Sequence, residues 1–322
     1  MRYAAQRLIQ FLLVFVVVTF MVMAATRIGS TDPARDLAGG AVSEAQIEQV
    51  KEDYPYLDKP LVVQYGYWVK DIVTGDWGRS YVASQSVVDM FKQRAPSTVF
   101  IAFWAIIIGL VIAVPLGVYS AYRRDGMLDR AGSVSSFAFI SMPPLVIGVL
   151  LLYFVVTRSG VFPTVGRSQY VAPWDNPVEH FENFFIPSLM LGLGLGAVWS
   201  RLLRADMISA LQSDSVLMAR AKGISPRRVL WVHALRMSLL SLMTSVALQM
   251  AALLGGAVIA EQFFGPKGLG DRLVFAIQQN DLLVVQAIAA FITVFVVLAN
   301  LVVDLLYAVV DPRIRVARSL GG

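Results

Sequence analysis

Six stretches of the chain are apolar almost without interruption: Leu8–Thr26, Ser97–Tyr119, Ser133–Thr157, Ile186–Ser200, Leu239–Ala260 and Leu283–Val310. A helix crosses about 30 Å of hydrocarbon with roughly 20 predominantly apolar residues. The pattern therefore predicts an all-α, polytopic membrane protein with six transmembrane helices. The fourth stretch is the shortest and the richest in glycine. Arg2 and Arg7 precede the first stretch, as basic residues precede a signal peptide. Its apolar run is longer than the roughly 7–15 residues of a signal core, and no A-x-A cleavage site follows, so the expectation is an uncleaved anchor.

The segments between the spans carry patterns of their own. Residues 27–96 are long enough to hold structure. Ser43 followed by Gln46 reads as a capping box that opens a short helix through Ile47 and Val50. Asp58 and Pro60 then precede a second helix with an apolar stripe at Leu61, Tyr65, Trp68, Val69 and Ile72. Such a module either meets a partner or the membrane surface, or is a helical cap that packs on the spans.

Composition sharpens the class. Apolar residues make up 57% of the 322 and charged residues 15%, with no cysteine. Soluble domains carry about 25% charged residues, so the deficit excludes a soluble enzyme, and disorder is excluded by the high hydrophobicity. The missing cysteines exclude disulfide staples, thiolate metal sites and a cysteine nucleophile. The net charge of +5 is unevenly placed. One side of the predicted topology holds the N-terminus, the loop with Arg123, Arg124 and Arg130, the segment Arg201–Arg236 and the tail with Arg313, Arg315 and Arg318. It carries 15 basic and five acidic residues, against 12 basic and 16 acidic on the other. The positive-inside rule places that side, and both termini, in the cytoplasm.

The segment Arg201–Arg236 is too charged to span and too long for a tight turn. It contains Ala219, Arg220, Ala221, Lys222, Gly223, Ile224, Ser225, Pro226, Arg227 and Arg228. Small residues permit close backbone approach, and Gly223 with the following Ser-Pro favours a turn between two short helices. A short exposed helix of this kind can seat into a groove on a cytosolic partner. The alternative is an ordinary basic loop whose arginines only fix topology.

Other chemistry is thin. No G-x-x-x-x-G-K-[ST] occurs, so no phosphate-cradling loop is present. Gly192, Gly194 and Gly196 lie in the fourth span, where close helix packing is the reading, and Gly265–Gly270 reads as an external turn or gate-forming loop. An ion-coupled secondary transporter of small solutes, the rival function, uses acids or histidines deep in its spans. Only Asp304, near the cytoplasmic end of the sixth span, is available for that. His180 and His233 fall on opposite sides, and neither H-E-x-x-H nor G-x-S-x-G occurs, which argues against a membrane-embedded hydrolase. Gln249 and Asn300 are the translocation-path candidates, with hydrogen bonding between helices as the alternative.

With those residues in view, the segment Met218-Ala219-Arg220-Ala221-Lys222-Gly223, continued by Arg228-Val229 and His233-Ala234-Leu235-Arg236, resembles the "EAA" coupling loop of ABC-importer permeases of the dipeptide/oligopeptide/nickel branch. Further matches to that family's motifs are Leu57-Asp58-Lys59-Pro60, Gly75-Asp76-Trp77-Gly78-Arg79-Ser80, Pro115-Leu116-Gly117, Pro143, Leu254–Val258 with Glu261, Gly268-Leu269-Gly270, and Asn300–Asp304 through Tyr307 to Asp311-Pro312-Arg313. Leu217 stands where the general pattern has an acid, and Met237 and Ser241 where an Asn and a Pro commonly follow.

The resemblance implies a type I importer permease: an N-terminal transmembrane helix (1–26), an external helical segment (27–96), a five-helix core (97–310) with the coupling loop 201–236, and a cytoplasmic tail (311–322). It implies that Ala219, Arg220, Ala221, Lys222, Gly223, Arg227 and Arg228, within 211–228, couple to ATPase subunits. The implied partners are a second permease, by family habit a paralogue, two ATP-binding subunits and an external solute-binding protein that delivers peptides. No catalytic residue, metal or cofactor is implied in this chain, ATP and Mg being bound by the ATPases. The implied location is a bacterial or archaeal inner membrane.

Overall fold

The structure, a computed structural model, describes residues 2–27, 32–39, 43–160, 162 and 170–310, with helix side chains from Ile9 to Val303. Asp304 and Tyr307 lie outside the described side chains, and the tail with Arg313, Arg315 and Arg318 outside the described residues. Among the described residues thirteen α-helices follow in order: α1 Arg2–Arg27, α2 Pro33–Ala38, α3 Glu44–Asp53, α4 Leu61–Thr74, α5 Val87–Tyr122, α6 Met127–Ser141, α7 Pro144–Leu151, α8 Pro177–Leu211, α9 Asp214–Ala221, α10 Pro226–Arg228, α11 Leu235–Phe264, α12 Leu269–Gln278 and α13 Leu282–Val310. The chain is otherwise helical except for one departure from all-α, a two-residue antiparallel pairing of β1 Arg79–Ser80 with β2 Gln85–Ser86 among the described residues.

Five helical stretches are long and apolar enough to cross a membrane, and the bent pair α6–α7 makes a sixth if it is one broken span. Here the structure corrects the expected continuous third span, Ser133–Thr157. The two halves meet at 108°. Tandem prolines explain this: the residue before each is driven out of the helical region, and Met142 and Pro143 take extended backbone instead. The fourth span is also longer than the expected Ile186–Ser200. Asn176 caps it by accepting from the Glu179 amide, Pro177 occupies its first turn, and the helix runs on to Leu211.

The chain divides into two compact units. The first comprises residues 1–98 and 267–297. In it Ser43 and Gln46 form the capping box of α3, the Gln46 side chain reaching back to the Ser43 amide at 3.0 Å. Ile47 and Val50 of α3 pack with Leu37, Leu57 and Leu283. The stripe of α4 turns towards the spans: Tyr65 and Trp68 are buried with Met23 of α1 and Ala290 of α13, and Leu61, Val69 and Ile72 join them. The stripe is thus consumed by packing within the unit.

Three phenols brace this unit. Tyr56 donates to Asp71 at 3.1 Å and Tyr81 to Asp53 at 2.5 Å, while the half-buried Tyr54 lies near the same carboxylates. Burial, reinforced by these acids, pushes Tyr54 up to about 12 and raises Tyr56 and Tyr81 as well. The fold favours the neutral phenols. Their contribution to stability is therefore fully present below the unfolded phenol value of about 10 and is lost as pH rises through the folded values. Spectroscopic titration of the phenolate band is expected to show Tyr54, Tyr56 and Tyr81 ionising above the ordinary range. Coincident titration of every tyrosine at the ordinary value would contradict it.

The second unit comprises residues 99–266 and 298–322. Its seam is α5 against α8, built from glycines. A Cβ on Gly192 would stand 2.7 Å from the Ile108 side chain, and one on Gly196 3.1 Å from Ile112. Small residues four apart let two backbones approach where lipid supplies no hydrophobic drive. Asp129 at the start of α6 is buried and receives Arg204 of α8 through two nitrogens, Nη2 at 2.7 Å, which fixes the 123–129 turn to α8.

Candidate functional site

The turn between α8 and α11 is built to present a surface. α9 lays Val216 and Ala219 inward, at 0% and 6% exposure, and leaves Leu217 and Met218 half-exposed. Its C-terminus is closed by a Schellman pattern: the Ile224 amide donates to the Ala219 carbonyl at 3.2 Å and the Gly223 amide to that of Arg220 at 2.9 Å. That closure requires a left-handed residue, and Gly223 has φ +73°. Ser225 and Pro226 then start α10, which passes through a π-helical turn at Val229–Ala234 into α11. Of the residues singled out in the sequence, Arg220, Ala221, Lys222, Gly223, Arg227 and Arg228 are exposed and brought together on this turn. Ala219 is not among them; it is the buried foot of α9.

Two apolar side chains in a strongly basic turn were not legible as site residues. Leu217 and Met218 are 51% and 59% exposed, and Trp231 and Val232 in the following π-helical turn are exposed as well. Exposed apolar side chains and exposed arginines share this turn, a combination that suits burial against a protein groove better than contact with water alone.

Within the spans the other singled-out residues are separate. Gln249, half-buried in α11, donates to the Ser245 carbonyl and hydroxyl one turn earlier, at 3.3 and 3.0 Å, so its amide is occupied by its own helix. Asn300 is half-buried in α13. His180 is fully engaged. The Trp104 indole N–H donates to its Nε2 at 3.0 Å, so Nδ1 carries the proton and donates to the Val171 carbonyl at 2.8 Å. Phe100 and Phe184 enclose the ring.

The first unit holds a buried polar network. Arg272 of α12 reaches Asp281 before α13 at 2.7 Å, and the Ser80 hydroxyl donates to the same carboxylate oxygen at 2.5 Å. Arg272 also meets Ser80 at 3.2 Å, and all three are at least 94% buried. Burial raises the Asp281 carboxyl above its usual range, opposed by the Ser80 hydroxyl and the Arg272 charge. Nearby, Arg94 pairs with Asp271 at 2.9 Å, and the Leu269 amide donates to Thr98. Ser80 closes the Gly75–Ser80 motif, whereas Arg272 and Asp281 carried no sequence signal beyond ordinary loop charges. Among the described residues no group of His, Asp and Glu is placed to hold a metal.

Residues 113–316 match the family described as binding-protein-dependent transport system inner membrane component, and residues 1–102 match its N-terminal counterpart. The chain belongs to this family. It is a multi-pass ABC importer permease of the peptide branch. Its relatives include the "Probable peptide ABC transporter permease protein y4tP" of Sinorhizobium fredii, 32% identical over 97% of this chain and 99% of that protein. The glutathione transport system permease protein GsiC of Pectobacterium atrosepticum is 33% identical over 98% and 99%. Among solved structures, the inward-facing MetNI methionine ABC transporter matches 68% of this chain and 94% of its own with a TM-score of 0.53 at 18% identity, which shows a shared fold.

Proposed function

We propose that this permease forms half of the translocation pathway of an ATP-driven peptide importer, with both termini in the cytoplasm. The observation that carries this reading is the turn 214–228, whose exposed Leu217 and Met218 and surrounding arginines are held out by the buried Val216 and Ala219. That turn docks on an ATP-binding subunit. A second permease, a paralogue, completes the pathway with two such subunits, and an external binding protein delivers the peptide. The peptide assignment rests on relatives named for peptide and glutathione transport. ATP and Mg reside in the partner subunits, since this chain has no phosphate-cradling loop. Closure of the ATPases moves the docked turns, and rigid-body rocking carries the motion into the spans.

Two measurements test this. The purified chain alone is expected to hydrolyse no ATP, while the assembled importer does. The native chain has no cysteine, so Met218→Cys provides a unique attachment point. In the assembled importer it is expected to cross-link to an ATPase subunit, whereas Trp174→Cys, on the other side of the membrane in the proposed topology, is not. Hydrolysis by the isolated chain, or equal cross-linking from both positions, refutes the division of labour.

A further inference from the structure

A second face of α4, beside its packed stripe, is also apolar. Val62 and Val73 are 69% and 79% exposed, with Val63, Gly66 and Tyr67 exposed between them. Exposed valines taken singly need no explanation. Their depth supplies one.

The Tyr65 hydroxyl lies 2.8 Å from the Thr19 hydroxyl and 3.3 Å from the Val16 carbonyl of α1. Thr19 stands eight residues before the end of α1 at Arg27, which at 1.5 Å per residue is about 12 Å. Ala290, in the same cluster, stands eight residues inside α13, the same depth of about 12 Å by the same rise. Both contacts fall within membrane-crossing windows, Ile9–Arg27 and Leu282–Val303. Two independent helices therefore place the middle of α4 about 12 Å in from their ends, alongside their apolar membrane-length stretches rather than beyond them.

The chemistry of α4 agrees. With 14 residues it is about 21 Å long by the same rise, too short to cross. Its polar residues Gln64, Lys70, Asp71 and Thr74 gather in one sector and the rest is apolar, the amphipathic pattern of a helix that lies at an interface. Its polar groups are satisfied inward or carried on long stems. The Gln64 amide donates to the Leu57 and Lys59 carbonyls at 2.7 and 2.9 Å, and Asp71 accepts from Tyr56. Lys70 and Lys59, the latter with its ammonium 5.1 Å from the Tyr67 ring centre, can extend to phosphates while their stems remain among apolar groups. The helix also leans on α1, most of whose apolar circumference is left uncovered by the rest of this chain.

We propose that α4 is an interfacial membrane helix, its Val62–Val73 face seated among the acyl chains of the adjoining leaflet, the outer one in the proposed topology, with Lys59 and Lys70 at the phosphates. The inference rests on the chain being a membrane protein and is independent of its coupling or cargo.

The test places a nitroxide on Val62→Cys or Val73→Cys in the full importer, reconstituted in phosphatidylcholine–phosphatidylglycerol vesicles. Collision with oxygen, which partitions into lipid, is compared with collision with a water-soluble nickel chelate. Both positions are expected to match Val17→Cys on α1, with an oxygen-to-nickel ratio severalfold above that of Glu52→Cys on the exposed face of α3. A ratio equal to that of Glu52→Cys means water and overturns the proposal. Low accessibility to both reagents means that another protein chain covers the face, and overturns it equally. The two sites are eleven residues apart, so failure of one variant to assemble leaves the other decisive.

Discussion

Gly223→Leu is expected to lower peptide uptake by the assembled importer, by up to roughly thirtyfold, while leaving membrane insertion and expression intact. Nothing lies within 4 Å of a Cβ built on Gly223, so the effect does not come from a clash. It comes from the backbone, whose φ of +73° the Schellman closure of α9 demands. An L-residue with a side chain resists that conformation by about 1–2 kcal/mol. At about 1.4 kcal/mol per tenfold, the equilibrium between intact and released turn shifts roughly five- to thirtyfold towards release. Released from it, Arg220, Lys222 and Arg227 no longer share one surface, and ATP hydrolysis continues without transport. Gly223→Asn is the informative control, because asparagine tolerates the left-handed region. It adds bulk while keeping the turn and is expected to retain most of the uptake. Unchanged uptake in the leucine variant would sink the coupling assignment.

Arg272→Met is expected to cost about 3–5 kcal/mol, the loss that follows when one partner of a buried ion pair is removed. Asp281 would be left 0% exposed with only the Ser80 hydroxyl as a described side-chain partner. The paired change Arg272→Met with Asp281→Leu removes both charges and is expected to recover much of that loss, since a well-packed apolar pair often equals a buried ionic one. Thermal unfolding of the purified chain, with proteolysis of the segment before α5 as a local probe, reads both. Equal stability for wild type and the single variant would mean that the network contributes nothing.

Much of the architecture was readable because a run of twenty apolar residues has few alternatives. The capping box at Ser43 and Gln46 was readable for a different reason: both halves of the interaction lie within one turn of chain. The errors share a cause. Hydropathy cannot see the backbone, so the Ser133–Thr157 run passed as one helix although Pro143 and Pro144 break it. Helix ends follow caps rather than apolarity, so α8, capped by Asn176, begins at Pro177 and not at Ile186. The Ser80–Arg272–Asp281 network was out of reach because its members are up to 201 positions apart and each resembles an ordinary loop residue. On the docking turn the arginines were visible as charge, but burial of Ala219 and exposure of Leu217 depend on how α9 lies on its neighbours, which spacing alone does not determine.

The 108° break between α6 and α7 has a consequence for motion. A bend inside hydrocarbon ordinarily strands amide protons, and any change of its angle must exchange hydrogen bonds. Pro143 and Pro144 have no amide protons to strand. Met142 still donates to Ala138 on one side, and Val146 and Ile147 donate to Pro143 on the other. The angle is therefore held by rotation about ψ of Met142 and Pro143 rather than by bonds across the corner. What fixes the corner is packing: Ile147 of α7 is buried, and Gly148 lies so close to Met190 of α8 and Phe263 of α11 that a Cβ there would stand 2.8 and 3.4 Å from them.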